Sequence, residues 1–174
     1  MSLLSSYKGH QLQRVSNTEL RTPVADGYYR YAVSGQSLPA NQRSCWSAHL
    51  KAMGSIHIGV IADTNLQHEG GEYNFRQPSY CGVGVYNDYA DIYTNGSHEA
   101  SSELASSAGD VLVFGLDALR GQLRVINSRT RQSVDIVVQH AQQPLFITVN
   151  MLARTSSGHV ELRHVNAAEM TLLQ

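Results

Sequence analysis

The chain has 174 residues, 42% of them hydrophobic and 16% charged, and its 13 Lys+Arg against 14 Asp+Glu leave a formal net charge of -1. That length fits one domain with a core of its own, needing no disulfide framework. The near-neutral balance gives no electrostatic reason to expect nucleic acid, and no apolar run approaches the roughly 18 residues of a membrane span.

The opening Met-Ser-Leu-Leu-Ser-Ser lacks the charged and long apolar regions of a signal peptide, so a cytoplasmic location is expected, with the nucleus as the alternative. Residues 1–14 show no period and read as a lead-in segment. From Val15 onward short β-rich runs recur between turns. Tyr28 to Val33 is the first clear strand, with Tyr29, Tyr31 and Val33 on one face and Tyr28, Arg30 and Ala32 on the other. Trp46, Ala48 and Leu50 share a face of the next strand. Ile56, Ile58 and Val60 do so in the one after it, with His57 on the opposite face.

The segment from Ala62 to Pro78 mixes Gly70-Gly71 with charges and aromatics, which makes it a long exposed loop of the kind that carries function. Tyr80 to Tyr86 and Ala90 to Thr94 resume the β pattern, and Asn95-Gly96 is a two-residue turn signal. Residues 97–107, rich in Ser, Ala and Glu, read as a loop or a helical turn. Val111 to Leu116, a turn ending in Gly121, and the alternating Gln122 to Asn127 form a hairpin. Ser133 to Val138, Leu145 to Leu152 and Gly158 to His164 complete about ten strands. With no long amphipathic helix and no fixed repeat, an all-β antiparallel sandwich or jelly roll is expected over residues 15–165, followed by a tail at 166–174.

Several stretches arrive in the order of a known family. Arg-Ser-Cys-Trp-Ser-Ala-His-Leu-Lys (43–51) with Ile-His-Ile-Gly-Val-Ile (56–61) resembles the SPRY-domain pattern of an aromatic-bearing strand followed by one ending in Gly-Val. Ser79 to Gly96 is similar to its Ser-aromatic-Gly stretch and Tyr-x-Asn-Gly turn. Gly109-Asp110-Val111, Leu116-Asp117, Gly121-x-Leu123 and Gln143-Pro144-Leu145-Phe146 resemble its remaining signatures. The segment 158–163 is similar to SPRY domains that accompany a suppressor-of-cytokine-signalling box. No such box lies between it and Gln174, and Ser157 stands where those proteins place an aromatic residue. The resemblance implies a bent two-sheet β-sandwich of the concanavalin-like kind. It also implies a non-enzymatic module, usually monomeric, that binds a peptide segment of a partner protein through loops at one end, in a substrate-recognition or adaptor role. No cofactor and no metal are implied.

The candidate partner-binding residues are Arg30, Tyr73, Asn74, Phe75, Arg76, Tyr28 and Asn41. Arg30 occupies a position similar to an arginine with which peptide-binding SPRY domains hold an acidic or amide-bearing ligand, where a guanidinium can pair a carboxylate bidentately; the other reading is an exposed sheet arginine. Tyr73 to Arg76 put aromatic and arginine anchors into the long loop, unless that loop folds back and buries Phe75 in a small core of its own. Tyr28 and Asn41 flank loops expected at the same end. A lectin-like sandwich binding glycans through Asn87, Asp88 and Tyr89 is the alternative.

Other motifs have plainer readings. Asp110 and Asp117 sit at strand ends and cap turns. His49, His57 and His159 lack the spacing of a metal site. Cys45 and Cys81 read as reduced core thiols. Arg120, Arg124, Arg129 and Arg131 form the densest cationic group and read as a solvated sheet face.

Overall fold

The computed structural model describes residues 3–4, 12–22, 29–62, 74–152 and 158–174. Among the described residues fourteen strands form two seven-stranded antiparallel sheets. The first sheet runs, in spatial order, β1 (Leu3–Leu4), β4 (Tyr29–Ser34), β13 (Phe146–Leu152), β6 (Ser55–Ile61), β7 (Cys81–Val85), β8 (Ala90–Thr94) and β9 (Ser97–Ser102). The second runs β12 (Ser133–Val137), β11 (Gln122–Asn127), β10 (Val111–Asp117), β5 (Arg43–Ala52), β14 (His159–Arg163), β3 (Glu19–Arg21) and β2 (Gln13–Arg14).

The core between the sheets follows from period-2 alternation. Trp46, Ala48 and Leu50 of β5 point inward, and β10 answers with Leu112, Phe114 and Leu116, so that Phe114 lies opposite Trp46 and their rings stack at 5.1 Å. Ile56, Ile58 and Val60 meet them from the first sheet, beside Ile147, Val149 and Met151 of β13. Each such side chain contributes on the order of 1.5–3 kcal/mol by leaving water.

Four strands of the first sheet break the alternation. β6, β7 and β13 are buried almost throughout, and β4, from Arg30 to Ser34, is as continuously buried as these three, which requires cover on both faces. The cover on the outer face comes from the segment after the loop. A 3-10 turn at Asn74–Arg76 and the following residues to Tyr80 lie across it, making a second apolar cluster of Tyr31, Val33, Ile61, Phe75 and Tyr80. The Asn95-Gly96 turn, with φ of 52° and 76°, holds this segment: the Gly96 N–H donates to the Tyr80 carbonyl, and a side chain at Gly96 would collide with the carbonyls of Arg76 and Gln77.

Several expectations change. Residues 97–102 are neither loop nor helix but the edge strand β9, antiparallel to β8. Its residues are small, polar and mostly exposed, so no apolar alternation marks it. The lead-in contributes β1, which pairs with β4, and β2, which pairs with β3. The tail folds as well. Asn166 accepts a hydrogen bond from the Glu169 N–H while Glu169 accepts one from the Asn166 N–H, capping α1 (Ala167–Met170), and Leu173 in the next turn packs over Gly115 of β10.

Candidate partner-binding surface

Strand register builds the outer face of the first sheet row by row. Tyr31, Asn150, His57 and Gly84 stand side by side across β4, β13, β6 and β7, and Tyr29, Leu152 and Ser55 form the adjoining row toward the sheet's end. Glycine at position 84 makes room for the His57 ring: a Cβ there would sit 2.7 Å from both Cε1 and Nδ1 of the imidazole. Phe75 closes the ring from above, stacked at 3.9 Å and 8° from parallel, while Tyr29, Tyr93 and Tyr86 present edges at 5.7, 5.4 and 6.4 Å.

This enclosure sets the electrostatics. Burial, with help from the Arg76 charge, lowers His57 from its ordinary 6.5 to about 3, so the imidazole is neutral. The Ser55 hydroxyl lies 3.4 Å from His57 Nε2 and 3.2 Å from the Tyr29 hydroxyl. His57 Nδ1 and both polar atoms of the Asn150 side chain are buried without a protein partner among the described residues. Burial also pushes Tyr93 up to about 12 and raises Tyr86, so these phenols stay protonated. Toward the solvent the cluster continues into Tyr89, 43% exposed, whose ring stacks on Tyr86 at 4.8 Å. Tyr29, Tyr86, Tyr89 and Tyr93 thus form an aromatic patch, graded from half-buried to exposed, with the exposed side chain of Arg76 beside it.

The sequence-derived residues distribute differently from the expectation. Arg30 is neither an exposed sheet arginine nor part of the outer face. It is 5% exposed on the inner face of β4, opposite Met151, where it is partnered rather than free. Phe75 is not a solvent-facing anchor: at 3% exposure it is the plug over His57, the small core that a folded-back loop makes. Arg30 and Phe75 therefore lie on opposite faces of one sheet. Asn41 sits, at φ 57° and exposed, in the turn before β5, and that strand reaches the Arg30 end only at its far terminus. Arg76 remains on the surface. Tyr28 and Tyr73 lie outside the described residues, and Asn74 is described only as backbone of the 3-10 turn.

Sequence reasoning missed Tyr86, Tyr93, Ser55 and Asn150. The signal was available in the alternation, since residues opposite the apolar set of each strand share the outer face. Outward residues of a sandwich are normally solvated, and period alone does not show that this face is covered. Asn87 and Asp88 are exposed in the β7–β8 turn, and one face of the neighbouring Tyr89 ring is occupied by Tyr86.

Asp110 caps its turn as expected, accepting from the Ser107 N–H, Asn127 Nδ2 and both Nε and Nη2 of Arg129. Asp117 accepts from the Arg120 N–H and Arg43 Nε. Cys45 and Cys81 are free thiols, both raised above the ordinary range by burial. Among the described residues no group of three or more His, Cys, Asp or Glu is placed to hold a metal ion, and no helix is long and apolar enough to cross a membrane.

No family model and no curated sequence matches the chain. Solved structures do match. The SPRY domain of human HERC1 superposes with a TM-score of 0.68 at 13% identity, over 92% of this chain and 99% of that one. The TRIM65 PSpry domain gives 0.68 at 16% identity, over 94% and 89%. Stonustoxin gives 0.65 at 12% identity, over 92% of this chain and 26% of its own.

Proposed function

We propose that this chain, which has the SPRY fold, is a protein-interaction module that holds an extended segment of a partner against the tyrosine patch on the outer face of its first sheet. The fold is shared with the SPRY domains of HERC1 and TRIM65, and at such low identity it carries the architecture, while the site must come from this chain's own residues. The observation that supports the site is the grouping of Tyr29, Tyr86, Tyr89 and Tyr93 around the buried imidazole. Tyrosines bury large area at low conformational cost and offer a hydroxyl to the partner's backbone, and Arg76 adds a cation at the rim. Because Tyr86, Tyr93 and His57 are neutral, the patch favours aromatic and amide groups, with Arg76 suited to one carboxylate. The role is an adaptor's: the partner is held, not transformed.

Screening immobilised peptides with the purified domain tests the reading. The expected result is a set of aromatic-containing hits whose affinity falls roughly tenfold or more in a Tyr89→Ala, Arg76→Ala double variant, the loss typical of interface anchors, and is unchanged in Asn41→Ala. Hits that bind the double variant as well as the parent would move the site elsewhere.

A further inference from the structure

A recess of about 270 Å³ lies on the outer face of the other sheet. Two rows of outward residues shape it. Cys45, Gly115, Arg124 and Asp135 are in register across β5, β10, β11 and β12, and the next row is Arg43, Asp117, Gln122 and Val137. Gly115 leaves a gap in the first row, floored by backbone. Leu173, whose side-chain carbons would come within 2.8 Å of a Cβ at position 115, walls one side. Arg120 enters from the β10–β11 turn.

The charges in this recess are incompletely matched. Asp117 engages Nε of Arg43 at 3.2 Å and Nε of Arg120 at 3.9 Å, and Asp135 stands 4.0 Å from Nε of Arg124. Three guanidinium groups thus face two carboxylates, and each makes its ion pair through Nε. The side chains of Arg43 and Arg120 are each 73% exposed and that of Arg124 49%. Asp117 anchors two of these arginines at the bases of their forks, which leaves the donor pairs at the tips for a planar acceptor.

We propose that this recess is a binding site for an acidic segment of a protein partner, with a Glu or Asp carboxylate held by Arg43, Arg120 and Arg124 and an apolar neighbour resting on Leu173. It lies on the opposite sheet from the tyrosine patch, so the two sites can be occupied together. Arg120 and Arg124 belong to the cationic group that reads from sequence as a solvated face. Register and the Gly115 gap turn them, with Arg43, into walls of a concave site, whereas Arg129 is drawn away to Asp110.

The test is a titration of the intact domain with a fluorescein-labelled peptide of four glutamates and one central leucine, followed by polarisation at low and physiological salt. Binding should weaken roughly tenfold in Arg43→Gln, Arg124→Gln, as expected for lost charge-assisted donors. It should also weaken in Gly115→Val, which fills the floor, and persist in Arg131→Gln, an exposed arginine outside the recess. Circular dichroism checks that each variant is folded. Equal loss in Arg131→Gln would mean that only net charge matters and would overturn the proposal, as would unchanged binding in the recess variants or an unbound parent domain. Competition by inorganic phosphate as strong as by the peptide would reduce the site to a simple anion contact and also overturn it. The Tyr89→Ala, Arg76→Ala variant should bind the acidic peptide normally, which separates this site from the first.

Discussion

Acidification to pH 5 should destabilise the domain by about 2 kcal/mol through His57 alone. The imidazole titrates near 6.5 when solvated and at about 3 in its place beneath Phe75. Its folded value is depressed, so the unfolded chain takes up the proton first. Stability is complete above 6.5 and falls as the pH drops toward 3, below which both states are protonated. At pH 5, about 1.5 below the unfolded value, the unfolded state is favoured by roughly 2 kcal/mol, and the loss approaches about 5 kcal/mol below pH 3. Urea unfolding at pH 7.5 and pH 5, for the parent and for His57→Phe, isolates this contribution, because the other histidines and carboxylates titrate in both proteins. Phenylalanine keeps the stack with Phe75 and removes the titratable nitrogens. A variant that loses as much stability as the parent between the two pH values would refute the reasoning.

Gly84→Ala should cost about 1–3 kcal/mol by overpacking, since its methyl would press on the His57 ring; combining it with His57→Ala should cost less than the sum of the two, and strict additivity in denaturant curves would argue against the contact. Asp110→Ala should cost about 2–3 kcal/mol, because Asn127, wholly buried, keeps its bond to the Ala105 carbonyl but loses the acceptor for its other amide hydrogen. The exposed Arg129 partner adds little to that loss. Equilibrium unfolding at neutral pH checks both. Trp46, the single tryptophan, is wholly buried against Phe114, so its emission should shift to longer wavelength in one step that coincides with the loss of β-sheet circular dichroism; two separate steps would show that the sheets unfold independently.

The sandwich was legible wherever strands have one wet face. Trp46, Ala48 and Leu50, or Leu123 and Val125, alternate with polar residues and sit inside as expected. Legibility failed where a second layer covers the sheet. Tyr31, His57 and Asn150 occupy outward positions by period but are buried, because the segment around Phe75 lies over them. A chain's own loop returning to cover a sheet leaves no periodic mark. Arg30 shows a related limit: alternation sets its face opposite to Tyr29 and Tyr31, and only the packing of the two sheets makes that face the interior. The Asn166 to Glu169 capping box could have been read from the sequence, whereas β9, built of small polar residues, offered nothing to read.

The order of strands in the two sheets has a consequence for how the domain is made. β1 and β4 reach the rest of the first sheet only through β13, and β2 and β3 reach the rest of the second only through β14. The last two strands of the chain are therefore the keystones that join its first four to the remainder, in both layers at once. When residues up to β12 have left the ribosome, the first four strands can pair only among themselves, and they join the rest once β13 and β14 have emerged. Pairings across so long a separation close slowly, so folding should end, not begin, at the N-terminus. A chain cut short before Phe146 would leave those four strands unjoined to the remainder of either sheet.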